Sequence, residues 1–493
     1  MKRIISILLS IITIIIPLTV FANAESEIIP RISIRGFMST PLYNGDGKQL
    51  WPLDADDMLK NINILGPEMV KLSVTGNWDK FGDAVVKSVN NIFGDLRCDK
   101  DGNPLNQSGT LFKYPAKEEI EKNPVIEYNI DWRLDPFKIA EDLNDFVLYL
   151  DSLGYHKVVF DTHSFANTIL ITYLTIYGTE HTKSICMLSS AYYGAGFAGC
   201  LVKGEARVNA DALIEYLKGA VDHNQYKAII DLLLDLIKKS GLNITLSDFV
   251  NKLFEKQGEK IYMDFAIPLF GCWPAIWAMT ADEDVYDGMD YVFGTMLKNK
   301  ISDYAPILEK INRYNNIMRS DRKGIMENIN NSCNLYIFSN YGYANLPLFD
   351  GWSELSDSVV NTKYTSFGAT CKAYNSTEKF TGKWASPNGL IDASTAQFKN
   401  QTWFFRNGKH RCVTEETEKM IETLLFYDGQ ATIDTFENYP QFMMYDSANN
   451  TVRPDVKSDS DVGIILKVKK LAEFSTKLIE RFLSLLSHKK YVK

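Results

Sequence analysis

The sequence predicts an α/β fold built on a mostly parallel central sheet. Residues 138–153 repeat apolar side chains at helical spacing, Lys157–Asp161 is a short apolar run, and residues 165–177 return to helical spacing. This succession of helix, strand, turn and helix is typical of parallel strands connected by helices. With 493 residues, 45% of them hydrophobic, the chain can bury a large core, which excludes intrinsic disorder.

Four more apolar runs extend the predicted sheet. A short strand is predicted to end at Gly36, with an irregular loop after it, and the next strand after the helix at residues 165–177 is predicted at Ser184–Leu188. Asn334–Ser339 and Thr402–Arg406 resume strand character late in the chain. Residues 340–400 are rich in Ser, Thr, Asn and Gly, which predicts a long ordered loop region between those two late strands.

A long helical segment divides this core. Residues 200–330 are predicted to form a helical cap inserted between two core parts, 25–199 and 331–450. Residues 451–493 are predicted to form a basic amphipathic C-terminal helix, because eight Lys or Arg stand against two Glu after position 466. This helix could dock on the fold or bind a membrane surface, and the sequence leaves both alternatives open.

The first residues predict secretion. Lys2 and Arg3 precede an almost unbroken apolar run at Ile4–Val20, and residues 22–24 (Ala-Asn-Ala) have the small-x-small pattern of a cleavage site. We expect residues 1–24 to be a signal peptide and the protein to be secreted or displayed at the cell surface. An uncleaved membrane anchor is the alternative.

The composition argues against several functional classes. Lys and Arg total 53 against 61 Asp and Glu, and this net charge of −8 argues against sequence-independent nucleic-acid binding, which needs a basic surface. Seven cysteines are too few for a disulfide scaffold, and no two of them have the C-x-x-C spacing of a zinc site. The sequence implies neither a metal nor an organic cofactor.

The strongest functional signal is the hexapeptide Asp161–Ala166 (Asp-Thr-His-Ser-Phe-Ala), which lies at a predicted strand-to-helix junction. A nucleophile elbow occupies such a junction and usually reads G-x-S-x-G, because its strained turn forces the positions two before and two after the serine together. Thr162 and Ala166 occupy those positions here. Ser164 is the candidate nucleophile, and a simple helix N-cap is the alternative.

A serine hydroxyl needs a base, and the base needs an acid that orients it. After an elbow the chain order is serine, acid, histidine. Only His410 fits, because it follows the last predicted strand. The other histidines precede the nucleophile or lie at the end of its helix, in the insertion or in the tail: His156, His163, His181, His223 and His488.

The acid and the oxyanion donors are less strictly determined. Asp357 and Asp392 both lie on loops after a late strand, and both could reach the base. The oxyanion formed during attack on an ester needs two backbone N–H donors. One comes from the residue after the nucleophile, Phe165, and the other from the loop after the first strand, where Phe37 is the expected donor.

Together these residues resemble one family, the lecithin:cholesterol acyltransferase-like α/β-hydrolases, which include lysosomal-type phospholipase/acyltransferases. Residues 36–39 are similar to the family's early P-G-x-x-G-S-x-L loop, and residues 131–134 (Asp-Trp-Arg-Leu) match its Y-D-W-R-L segment. Residues 162–166 take the place of G-H-S-x-G, and residues 357–360 (Asp-Ser-Val-Val) resemble its acid motif D-G-T-V. His410 fits the family's final histidine.

The resemblance implies an α/β-hydrolase fold and a triad of Ser164, Asp357 and His410. Asp357 is preferred because its D-x-x-V pattern is intact, whereas a competing registration puts Asn388 at the acid position and implies a weakened triad. Trp273 and Trp277 in the insertion would suit an acyl groove, although such tryptophans are more often core residues.

Family members take an acyl group from a phospholipid or another lipid ester and pass it to an alcohol or to water. The resemblance therefore implies a serine-dependent O-acyltransferase, lipase or phospholipase that works through an acyl-Ser164 intermediate. The alternative is a catalytically weakened member that binds lipid or a surface partner. We expect a lipid-ester substrate and no nucleic acid, while contact of the C-terminal helix with a membrane surface stays one of the two alternatives given above.

Overall fold

The computed structural model describes residues 28–220, 227–446 and 449–456. The predicted signal peptide and residues 457–493 of the predicted C-terminal helix lie outside the described residues. The start of that predicted helix is wrong, because Thr451–Pro454 is a strand. It pairs antiparallel with Phe442–Asp446, and Val452 packs against the core beneath that edge of the sheet.

The described chain contains twelve strands. The strands are β1 Arg31–Ile34, β2 Leu42–Tyr43, β3 Gln49–Trp51, β4 Val125–Glu127, β5 Val158–His163, β6 Thr182–Leu188, β7 Asn334–Tyr341, β8 Thr370–Cys371, β9 Ile391–Asp392, β10 Thr402–Arg406, β11 Phe442–Asp446 and β12 Thr451–Pro454. Eight of them form one sheet in the order β12-β11-β10-β7-β6-β5-β1-β4. Every neighbouring pair in it is parallel except β11 and β12. The predicted α/β class with a mostly parallel central sheet is therefore confirmed.

Helices cover the sheet and fill the long connection between β6 and β7. The α-helices are α1 Ala55–Asn63, α2 Leu65–Thr75, α3 Trp78–Phe93, α4 Lys117–Lys122, α5 Pro136–Ser152, α6 Phe165–Tyr177, α7 Gly196–Lys203, α8 Ala210–Ala220, α9 Lys227–Ser240, α10 Leu242–Ile261, α11 Pro274–Met279, α12 Asp282–Met289, α13 Ala305–Tyr314, α14 Arg322–Ser332, α15 Thr362–Thr365 and α16 Glu415–Phe426. Helices α7 to α14 all belong to that connection. No helix in the described ranges is long and apolar enough to cross a membrane.

The centre of the sheet carries the strand and helix that hold the candidate nucleophile. All six residues of β5 are buried, because β1 and β6 flank it and helices cover its faces. Helix α6 begins directly after Ser164, and its first ten residues are buried. Helix α5 packs against it. Asp135 caps the start of α5 by accepting the N–H of Phe137, and Pro136 occupies the first turn.

The segment at residues 131–134 is held by a buried ion pair. Arg133 has no exposed surface and binds Asp131 at two points, with Nε 2.9 Å from Oδ1 and Nη2 2.6 Å from Oδ2. Its Nη1 also donates to the carbonyl of Leu96 and to the hydroxyl of Ser108, both at 3.2 Å. Through Arg133, the segment at residues 131–134 is thus hydrogen-bonded to the two segments that contain Leu96 and Ser108.

Arg133→Leu is expected to lower the free energy of unfolding by about 3–5 kcal/mol, because it leaves the buried carboxylate of Asp131 without its partner. Urea denaturation of the variant measures this loss. Lys138→Leu is the matched control: it removes a solvent-exposed pairing with Glu141 and Asp142, which contributes little. Equal denaturation midpoints for the two variants would contradict the structural role of Arg133.

Candidate active site

Ser164 lies at the sharp turn between β5 and α6. Its backbone has φ 60° and ψ −122°, a conformation that residues other than glycine adopt only when the surroundings enforce it. The N–H of Ser164 donates to the carbonyl of Leu188 at 2.9 Å. The carbonyl of Ser164 accepts the N–H groups of Asn167 at 3.1 Å and Ala191 at 3.3 Å. These bonds hold the strained serine in the geometry of a nucleophile elbow.

Asn167 explains how this turn accommodates threonine where glycine is usual. The hydroxyl of Thr162 donates to Oδ1 of Asn167 at 2.7 Å. Nδ2 of Asn167 donates to the carbonyls of Ser164 and Leu188, both at 3.0 Å. All of these groups are buried, so Thr162 becomes part of the support of the turn. Sequence reasoning missed Asn167, whose signal was an amide in the apolar first turn of α6.

Gly36 in the loop after β1 packs directly against the elbow. A Cβ atom at this position would lie 2.6 Å from the carbonyl oxygen of His163, 2.7 Å from Cβ of Ser164 and 2.8 Å from the nitrogen of Phe165. No real Cβ atom tolerates such contacts with backbone, so only glycine fits here. The close approach brings the loop after β1 beside the N–H of Phe165.

Gly36→Ala is expected to destabilise the protein by about 1–3 kcal/mol, because the elbow must move to admit the methyl group. Its rate of reaction with a serine-directed probe should fall as well. Gly258→Ala is the matched control: a Cβ there meets nothing within 4 Å, and alanine is favoured inside α10. Thermal unfolding of both variants measures the difference, and a Gly36→Ala melting temperature at or above that of Gly258→Ala would contradict the prediction.

The two predicted oxyanion donors, the N–H groups of Phe37 and Phe165, belong to these adjoining segments. Within the described part of the chain, neither N–H donates to another residue. Phe165 is the first residue of α6, where the helix dipole favours negative charge. Both groups are thus available to an oxygen that gains charge beside Ser164.

Side chains from three other parts of the protein hold the loop after β1. Nε1 of Trp51 donates to the carbonyl of Met38 at 2.8 Å, and Nε1 of Trp132 donates to the carbonyl of Thr40 at 3.0 Å. Nη2 of Arg411 also donates to the carbonyl of Met38, at 3.3 Å. Trp132 lies in the Asp-Trp-Arg-Leu segment, so that motif supports the predicted oxyanion loop.

His410 and Asp357 form a buried hydrogen-bonded pair. Nδ1 of His410 donates to Oδ2 of Asp357 at 2.7 Å, and the N–H of His410 donates to the carbonyl of Asp357 at 2.8 Å. Oδ1 of Asp357 accepts the N–H groups of Val359 and Val360 at 3.0 and 2.8 Å. Because Nδ1 is engaged, Nε2 is the ring nitrogen of His410 that can accept a proton.

The alternative acid positions have other partners. Oδ1 of Asp392 accepts the N–H of Ser394 at 3.0 Å and its hydroxyl at 2.6 Å. Oδ1 of Asn388 accepts the hydroxyl of Ser386 at 2.8 Å. Both side chains shape local turns. The geometry therefore brings Asp357, and neither alternative, against the candidate base, while its catalytic role stays a prediction.

His163 also contacts the candidate base, although the sequence analysis set it aside. Its Nε2 lies 2.5 Å from the carbonyl oxygen of His410, and the two ring centroids are 4.6 Å apart. A carbonyl only accepts, so Nε2 of His163 carries the proton. Burial, reinforced by the neighbouring His410, lowers the pKa of His163 well below its usual value, and the ring is neutral.

The two tryptophans considered for an acyl groove are core residues. Trp273 and Trp277 are 0% and 2% exposed. Their indole N–H groups donate to the carbonyls of Leu96 and Gly271 at 3.1 and 3.0 Å. The ring of Trp273 packs behind Phe37, with centroids 6.0 Å apart, so it supports the predicted oxyanion loop from the interior. Among the described residues, no group of three or more His, Cys, Asp or Glu could hold a metal ion.

Known proteins provide only a weak structural likeness to this chain. No family model and no curated protein matches the sequence. Among solved structures, a chain of the crystal structure of the Tle4-Tli4 complex aligns with 36% of this chain at 12% identity and a TM-score of 0.20. The aligned part spans 48% of that chain, about half its length. At this TM-score the likeness carries no argument about fold or function.

Proposed function

We propose that the protein is a serine-dependent lipid-ester hydrolase or O-acyltransferase of the α/β-hydrolase fold. The observation that carries the proposal is the buried His410–Asp357 pair, whose histidine ring contacts His163, the residue before the strained turn at Ser164. Ser164, Asp357 and His410 follow the carboxyl ends of β5, β7 and β10. Carboxyl ends of parallel strands meet at one edge of a sheet, which is where α/β proteins usually place their sites.

In the proposed reaction, Oγ of Ser164 attacks the ester carbonyl carbon while Nε2 of His410 removes the hydroxyl proton. The carbonyl oxygen becomes an oxyanion and accepts the N–H groups of Phe37 and Phe165. The tetrahedral intermediate then collapses, the C–O ester bond breaks, and the leaving alcohol takes the proton from His410. Water or a second alcohol attacks the acyl-Ser164 ester by the same steps in reverse. Asp357 keeps the ring oriented and stabilises its charged form.

The apolar surroundings of Ser164 support a lipid ester as substrate. The serine is 5% exposed. Beside it, the ring of Phe37 packs against Trp132 at 5.1 Å and Phe197 at 6.4 Å between centroids. An apolar environment of this kind favours an acyl chain over a polar substrate. The phospholipid-like donor and the secreted or cell-surface location are proposed from the family resemblance and from residues 1–24 respectively.

Labelling with a fluorophosphonate probe tests the chemistry, because the probe forms a covalent adduct only with an activated serine. We expect one adduct by intact mass, mapped to Ser164 by peptide sequencing. Ser394→Ala should label normally, because Ser394 lies on a surface turn, whereas heat-unfolded protein should not label. Absence of an adduct on folded protein that still binds lipid vesicles would favour the alternative, a catalytically weakened lipid-binding protein.

Product analysis separates hydrolysis from transfer. Phospholipid vesicles incubated with the protein should release free fatty acid if water is the acceptor. If an alcohol is the acceptor, adding a long-chain alcohol should produce a new ester at the expense of the free acid. The Ser164→Ala protein serves as the blank for both products.

A further inference from the structure

We propose that His163 is a positioning residue that fixes the backbone of His410 and thereby sets the orientation of the candidate base relative to Ser164. This inference rests on the proposed function and adds to it a residue outside the triad. His163 precedes Ser164 in the chain and contacts His410 in space, so one residue connects the elbow to the loop that carries the base.

The peptide of His410 is held on both sides. Its N–H donates to the carbonyl of Asp357 at 2.8 Å, and its carbonyl accepts Nε2–H of His163 at 2.5 Å. The side chain is held independently by Oδ2 of Asp357 at 2.7 Å. Without the bond from His163, the peptide of His410 keeps one hydrogen bond to the described residues, from its N–H to the carbonyl of Asp357. Nδ2 of Asn340 still holds the carbonyl of Lys409 at 2.8 Å, so we expect a rotation of the His410 peptide that changes the direction of Nε2.

Solvent does not readily replace this bond. The space beside the two rings is a cavity of about 10 Å³, lined among others by Ser189, Asn340 and Cys412. This volume is at the lower limit for a single water molecule. The donor to the carbonyl of His410 is therefore the imidazole itself, and a substitution that fills the same space leaves the carbonyl without a donor.

A neutral donor is also the appropriate one beside this base. The neighbouring groups whose positive charge lowers the pKa of His163 are Arg35, Arg411 and, during turnover, the protonated ring of His410. All are positive, so a cationic donor at position 163 would oppose protonation of the base. A buried neutral imidazole provides the hydrogen bond without adding a charge, which a lysine or an arginine could not do.

Three substitutions test the inference. In His163→Gln the amide nitrogen can approach the position of Nε2, in His163→Asn the amide is too short to reach the carbonyl, and His163→Leu fills the space without a donor. We expect kcat on a soluble short-chain ester to fall roughly 10- to 100-fold in the Asn and Leu variants, with KM nearly unchanged, because misdirected groups slow the chemical step. The Gln variant should recover most of kcat. His156→Leu, at an exposed histidine, is the control.

The outcomes separate this inference from the proposed function. If the wild-type protein neither labels nor turns over ester, the proposed function is wrong. If the wild type is active and His163→Leu keeps its kcat, or if Gln and Asn are equally impaired, the positioning role is wrong. Near-ultraviolet circular dichroism checks folding, and the Gln–Asn comparison decides if Leu does not fold. If no variant folds, His163 is a structural residue and the inference is also overturned.

Discussion

Ser164→Ala is expected to lower ester turnover by roughly 10⁶-fold, because it removes the only atom that can form the acyl intermediate. His410→Ala should cost a similar factor, since an unassisted hydroxyl is a poor nucleophile at neutral pH. The two losses should not add: the double variant should be no slower than either single one, because the two residues act as a unit. Turnover of a soluble short-chain ester measures all three.

Ser394→Ala provides the control for these measurements. Its hydroxyl bonds to Asp392 on a surface turn, so its loss should leave turnover unchanged. Ser164 and His410 are both buried, so the melting temperature of each variant must stay near the wild-type value for the comparison to be valid. A Ser164→Ala protein that is folded and retains near-native turnover would overturn the mechanism.

Asp357→Asn is expected to lower kcat by roughly 10⁴-fold with little change in stability. The amide has the same shape, and its oxygen can still accept the N–H groups of Val359 and Val360. Its NH₂ group would instead donate to Nδ1 of His410. The imidazole proton would then move to Nε2, which could no longer accept the hydroxyl proton of the serine.

Asp392→Asn is the matched comparison and should leave kcat close to that of the wild type, because this side chain bonds to Ser394. Measuring kcat for both variants under identical conditions decides between the two acids. A larger loss in Asp392→Asn would move the acid to position 392. Small and equal losses would favour the catalytically weakened alternative.

The elements that the sequence predicted well are those whose own side chains are buried. Helix α6 has the bounds predicted for it, and Thr402–Arg406 forms β10 as expected, because mostly apolar and buried side chains mark both elements. Strand β4 was missed: it has three residues, two of them exposed, and only pairing with β1 makes it a strand. Helices α1 to α3 were also missed.

The residues of the candidate site also differ in how far the sequence could identify them. The sequence could single out Ser164 and His410 as candidates because an elbow and a fixed chain order restrict where a nucleophile and a base can lie, and their catalytic roles stay predictions. Choosing Asp357 over Asp392 required the family resemblance, since the two loops look alike in the sequence. His163 was excluded as the base because it precedes Ser164, whereas the base follows the serine and the acid in the chain. That order applies to the base alone and does not identify residues that position the base. No sequence pattern around His163 indicates its hydrogen bond to the carbonyl of His410, which lies far away in the chain.

The bond between His163 and His410 has a consequence for biosynthesis. The two residues are 247 positions apart in the chain. At about 5–20 residues per second, a ribosome needs roughly 10–50 s to proceed from one to the other. Pairings of such high contact order form slowly, because a long loop must close first. A nascent chain therefore exposes its elbow long before the base exists, and any acyl-transfer activity begins only after β10 has joined the sheet.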